Sequence, residues 1–175
     1  MMSPMRTLTS AALAAAALAL AACGDSGDSG DDKTATSTRA EFIAKTDAQC
    51  KVSNARTKTL NEEAARAADT AKTEAELLKQ LAPILQRGYG QVRDNAAAFQ
   101  AVNPPADDAA EIEVIRKLYD EQAELVRKLA AAAKSADKNR FKVLTREQGD
   151  VLARARKAAA AYGFKECGST KSDAA

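Results

Sequence analysis

From Ile43 onward nine residues recur alternately three and four positions apart: Ile43, Thr46, Cys50, Ser53, Thr57, Leu60, Ala64, Ala67 and Ala71. A strand repeats every second residue, so a stripe of this length and spacing commits the segment to a helix. The stripe is unusually polar. Thr46, Ser53 and Thr57 read either as hydrogen-bonded hydroxyls in a core or as the wall of a polar cavity. Upstream, Thr38-Arg39-Ala40-Glu41 has the spacing of a capping box, which opens the helix.

The same period returns three more times. Thr73-Glu74-Ala75-Glu76 offers a second capping box, followed by Leu77, Leu78, Leu81, Ile84, Leu85, Val92, Phe99 and Val102, until Asn103-Pro104-Pro105 stops the helix. A third segment starts near Ala106-Asp107-Asp108, acids suited to a helix N-terminus, and carries Ile112, Ile115, Leu118, Tyr119, Leu125, Val126 and Leu129. A fourth starts near Asp137, carries Phe141, Leu144, Val151, Leu152, Ala155, Ala159 and Tyr162, and ends at Gly163. Gly163 is placed to adopt the left-handed cap conformation, with Phe164 packing back on the last turn. Alanine fills 42 of the 175 positions and aromatics only 4%. Such a core works only where small side chains let helices approach closely. The expectation is an all-α protein, an antiparallel four-helix bundle of up-down-up-down topology, spanning residues 38–168.

Arg6 is the one charged side chain in the first 22 residues, and residues 7–22 are small or apolar. That run falls short of the roughly 20 apolar residues a membrane-spanning helix needs, so residues 1–22 read as a secretory signal peptide. Leu20-Ala21-Ala22-Cys23 resembles the lipobox of bacterial lipoproteins. The resemblance implies diacylglycerol on the Cys23 sulfur, cleavage before it, and acylation of the new amino group. It also implies an extracytoplasmic protein anchored to the outer face of the cell membrane. Two or three acyl chains give stable anchoring where one does not. Residues 23–37 then form a flexible acidic tether of Gly, Ser and Asp, with no apolar surface to offset ordering. Its Asp-Ser-Gly-Asp pattern lacks the spaced ligands and closing Glu of a calcium loop. Residues 169–175 read as a disordered tail.

With Cys23 acylated, Cys50 and Cys167 remain in a compartment where disulfides persist. In an antiparallel bundle the fourth helix ends beside the start of the first, and the five residues from Tyr162 to Cys167 supply the slack to reach Cys50. A Cys50–Cys167 disulfide is expected; two free or intermolecular thiols are the alternative. The lipobox, Cys50, the Pro104-Pro105 break and the ending Tyr162-Gly163-Phe164-Lys165-Glu166-Cys167-Gly168 together resemble a loose group of small helical-bundle envelope lipoproteins from high-GC bacteria. That resemblance implies an address and an architecture but no activity.

The chain has no histidine, and its three methionines are Met1, Met2 and Met5. Imidazole acid–base catalysis, His-based triads, Glu-x-x-His di-iron sites and His/Met haem or copper sites are therefore excluded. Glu62-Glu63, Asp107-Asp108 and the pair Glu111 and Glu113 read as surface charge and N-terminal capping rather than acid–base pairs. The expectation is no enzyme, no cofactor and no metal. The formal charge of +2 is spread over interspersed signs without a basic stripe, which argues against nucleic acid. Pro83, Gly88, Tyr89 and Gly90 weaken the second helix, either as a kink packed on its neighbours or as a recognition site lined by freed backbone and Tyr89. The function expected is a non-enzymatic module that docks another envelope protein; the alternative is a bundle carrying a small or lipidic ligand between its helices. A cavity with convergent polar groups would favour the second, and a filled core with an exposed apolar patch the first.

Overall fold

The computed structural model describes residues 37–169. The signal-peptide reading, Cys23 and most of the tether lie outside these residues, as does most of the tail. The described chain is all-α: α1 Arg39–Thr70, α2 Glu74–Gln100, α3 Ala109–Lys134 and α4 Lys138–Tyr162, with one 3₁₀ turn at Ala106–Asp108 before α3. No strand occurs among the described residues.

The helix ends follow local chemistry. At α1 the capping box is complete: the Thr38 hydroxyl accepts from the Glu41 N–H, and the Glu41 carboxylate accepts from the Thr38 N–H at 2.8 Å. These bonds to Thr38 hold the Glu41 carboxyl below its ordinary range. At α2 half of the expected box forms. Thr73 accepts from the Glu76 N–H at 3.1 Å, but the Glu76 carboxylate takes the N–H of Lys72 instead. The box is displaced because the short connection of residues 71–73 brings Lys72 within reach of Glu76. Asp137 caps α4 by accepting from the Arg140 N–H at 3.0 Å. Asp108 begins α3 without capping it through its side chain; its carboxylate is engaged elsewhere. Past Gln100 the Pro-Pro break leaves carbonyls unserved by the helix, and Arg116 of α3 donates to the carbonyls of Phe99, Gln100 and Val102.

The helices alternate in direction. Phe42 near the start of α1 meets Phe99 at the end of α2, Ile112 and Ile115 near the start of α3, and Tyr162 at the end of α4. At the opposite end Glu74, opening α2, pairs with Lys138 and Lys142 of α4. This is the expected up-down-up-down four-helix bundle. Its large side chains collect into two clusters. One is aromatic, built of Phe42, Phe99, Tyr162 and Phe164 with ring centroids 5.0–6.1 Å apart. Tilted and edge-on rings at such spacing add roughly 0.5–1.5 kcal/mol per pair beyond their buried area. The other is aliphatic: Leu125, Leu129, Ala132, Leu144 and Val151 join α3 to α4.

α3 lies at the centre, with nine buried residues, whereas α1 buries only Phe42, Thr46 and Ala67. The polar stripe of α1 is therefore mostly half-buried. Between the two clusters α1 leans on α2 and stands off from α4.

The gap between α4 and α1 is bridged at the aromatic end by residues 163–169. Gly163, at φ 111°, and Phe164 close a two-bond cap onto Ala159 and Ala160, and the buried Phe164 packs back against Tyr162 as expected. The disulfide Cys50–Cys167 follows, with Cα atoms 5.1 Å apart. Asp47 accepts from the backbone N–H groups of Lys165, Glu166 and Cys167 at 2.9–3.3 Å, and Asn54 donates to the Glu166 carbonyl. Asp47, Cys50 and Asn54 share one face of α1 at spacings of three and four. Gly168 lies so close to α4 that a Cβ there would stand 2.9 Å from the Ala160 nitrogen. Each residue from Tyr162 to Gly168 thus serves this bridge.

Candidate functional site: a cleft between the first and fourth helices

Where α1 stands off from α4, a partly open cleft of about 410 Å³ runs along the bundle. That is the lower part of the range of roughly 300–1,000 Å³ usual for small-ligand sites. α1 lines it from Thr46 to Ala64, a span of about 27 Å at 1.5 Å per residue. α2 and α3 form its floor through Leu81, Ile84, Leu85, Val92 and Val126, and α4 contributes Gln148, Leu152 and Arg156.

The lining is chemically biased. Seven carboxamides face the cleft: Gln49, Asn54, Asn61, Gln91, Asn95, Gln122 and Gln148. Among the described residues Arg156 is its one charged lining side chain, in a chain where 29% of residues are charged. The polar stripe of α1 proves to be both things its spacing allowed. Ser53 and Thr57 accept from Gln91, whose amide donates to the Ser53 carbonyl at 2.9 Å and the Thr57 hydroxyl at 2.9 Å, and Asn95 donates to the Ser53 hydroxyl. These residues pin α1 to α2 and also line the cleft. Because the donors of Gln91 and Asn95 point at α1, their side-chain oxygens are left as acceptors. Thr46 is 2% exposed and its hydroxyl has no hydrogen-bond partner. A buried hydroxyl without a partner costs roughly 1–3 kcal/mol of lost hydration.

Tyr119 stands at the same end as Thr46 and packs edge-on against Phe99. Burial, reinforced by the negative charge of Asp47 and opposed by Arg156, pushes its phenol up to about 12. It is a neutral donor at any ordinary pH. Tyr162 lies outside the cleft. Its hydroxyl donates to Asp108 at 2.7 Å, the Arg39 guanidinium sits 4.2 Å above its ring, and burial followed by the Asp108 bond raises its phenol above its ordinary range.

The four residues of the second helix singled out by sequence do not gather. α2 runs as one helix through Pro83, and Pro83 itself is exposed. Gly88 lines the cleft. Tyr89 faces a separate shallow groove with Arg93, Gln100, Asp120 and Glu124, and a Cβ on Gly90 would meet open space. Of the acidic pairs, Glu63 is ion-paired with Arg87, and Asp108 holds Tyr162 and Arg39. Among the described residues no group of His, Cys, Asp or Glu is arranged to hold a metal, and no helix is long and apolar enough to cross a membrane.

Sequence reasoning missed Gln91, Asn95, Gln122 and Gln148. The available signal was the i, i+4 pair Gln91 and Asn95 opposite the polar stripe of α1. No known protein family matches this chain, and no curated protein or solved structure matches it either.

Proposed function

We propose that this protein is a non-catalytic, lipid-anchored binding protein of the cell envelope, holding a small amphipathic ligand in the cleft between α1 and α4. The observation that carries this reading is the cleft lining: an apolar floor, convergent carboxamides, and almost no charge. A module docking another protein through an apolar face would call for a contiguous exposed patch. Among the described residues the exposed large apolar side chains are Val52, Val114 and Val143, on three different helices. The anchor at Cys23 rests on the lipobox resemblance, and mass spectrometry of the mature amino terminus tests it; an unmodified Cys23 refutes it.

Gly88 supplies the test of the cleft. A Cβ there would stand 3.7 Å from Leu60 Cδ1 and 4.0 Å from Val126 Cγ1, ordinary contacts with two other residues of the cleft lining. Gly88→Leu therefore fills part of the cleft. A solvatochromic apolar dye should bind the wild type saturably at one site and bind Gly88→Leu at least tenfold more weakly, with helicity unchanged by circular dichroism. Gly88→Ala is the control: it should retain the dye and stabilise α2 by about 1 kcal/mol, the usual gain over glycine inside a helix. Absence of saturable binding, or equal binding by Gly88→Leu, overturns the reading.

A further inference from the structure

The cleft is not uniform along its length. At the disulfide end Thr46, Ser53, Gln91, Asn95 and Tyr119 line it beside Phe99; toward the α1–α2 connection Leu60, Leu81, Leu85 and Val126 outnumber Asn61. About 410 Å³ drawn out along some 27 Å of α1 makes a slot rather than a chamber. A fused ring system would not fill such a slot, whereas one extended hydrocarbon chain would. The polar end offers neutral hydrogen-bonding groups. Its one lining charge among the described residues, Arg156 on α4, already has an interaction partner, and Asp47 of α1 stands outside the lining, committed to the backbone of residues 165–167. Neither a cationic nor an anionic head is matched by such a site. An oxygen-bearing uncharged head is matched twice: Thr46, whose buried hydroxyl is unpartnered, offers a donor, and Gln91 and Asn95, whose amide donors are turned to α1, offer side-chain oxygens as acceptors.

Resting on the proposed ligand-binding role of the cleft, we infer that the ligand is a single-chain amphiphile with an uncharged hydroxyl- or ester-bearing head. Its head lies at the disulfide end against Thr46, and its chain runs toward Leu81 and Leu85.

Three probes of equal chain length test this by displacement of the solvatochromic dye, below their aggregation concentrations: monodecanoylglycerol, decanoate and decyltrimethylammonium. Monodecanoylglycerol should compete at least tenfold better than either ion. Thr46→Val separates a ligand role from a structural one. It removes an unpartnered hydroxyl at almost constant volume, so stability should hold or rise, while monodecanoylglycerol should bind about two- to tenfold more weakly, the worth of one hydrogen bond. Dye affinity is measured on Thr46→Val first, and the monoglyceride affinity is then read relative to it. Equal or better competition by either ion overturns the inference, as does a Thr46→Val variant with unchanged monoglyceride affinity. If the dye fails to bind the wild type, the cleft reading itself falls. If the dye binds and the monoglyceride does not displace it, only the ligand class falls.

Discussion

Two helices of this bundle end in the same hydrogen-bonding motif with different residues at its left-handed position. At α4, Gly163 and Phe164 donate back to Ala160 and Ala159; at α3, Ala136 and Asp137 donate back to Ala133 and Ala132. Gly163 takes φ 111° as glycine can, but Ala136 is held at φ 52° with a Cβ that crowds the following carbonyl. That conformation costs alanine roughly 1–2 kcal/mol, partly offset because glycine gives up more freedom on folding. Ala136→Gly should therefore stabilise the protein by about 1 kcal/mol in urea denaturation. The reciprocal Gly163→Ala should destabilise it by more than that gain, because its Cβ would also stand 3.3 Å from Ile43 Cδ1. A destabilised Ala136→Gly would show that the α3–α4 turn draws on the alanine side chain for packing.

At the scale of elements, the weak joint is the one between α1 and α4, and the turn of residues 163–169 makes it. The Asp47 carboxylate gathers three successive N–H groups of that turn, and Asn54 holds one of its carbonyls. Hydrogen bonds to a charged group contribute roughly 1.5–3 kcal/mol net, against about 1 kcal/mol for neutral ones. Asp47→Ala should lower stability by about 2 kcal/mol and Asn54→Ala by about 1 kcal/mol, both read from denaturation midpoints at unchanged slope. Equal, negligible losses would mean the disulfide alone holds the turn. Much of this joint was legible in the sequence. The stop at Gly163 and the return of Phe164 follow from capping chemistry, and the Cys50–Cys167 pairing from antiparallel topology once the lipobox resemblance sets Cys23 aside. Asp47 was not legible, because an acid on a helix reads as solvated charge until the chain that comes to it is known. Phe42 was passed over for a similar reason: it sits one position off the stripe of α1 yet is fully buried by rings from three other segments. The four helices and their directions were legible because period and breakers are local. The cleft was not, since a three-four stripe says which residues share a face, and not whether that face meets a helix or a gap.

For the whole molecule, the same gap that forms the cleft makes α1 the helix least held by packing, its hold on α4 confined to the Arg39 and Phe42 contacts with Tyr162 and to the 163–169 turn held by Cys50–Cys167 and Asp47. The loop that the disulfide closes spans 117 residues, so in the chain-entropy picture it contributes about 4–5 kcal/mol by restricting the unfolded chain. The double replacement Cys50→Ser with Cys167→Ser should lose about that much on denaturation. The loss should also be unevenly distributed. α3 is clasped by α2 and α4 and keeps its nine buried residues, whereas α1 buries three residues and is held by the Arg39 and Phe42 contacts at one end, its bonds to Gln91 and Asn95, and the Asp47 and Asn54 bonds to the turn. Native-state hydrogen exchange of the double variant should therefore speed first in residues 39–70 and 163–169, with α3 exchanging only through global unfolding. Dye affinity should fall in step, because α1 is one wall of the cleft. Uniform acceleration through all four helices would show instead that α1 belongs to the same cooperative unit as α3, and the disulfide would then act on the stability of the fold alone and not on the width of the cleft.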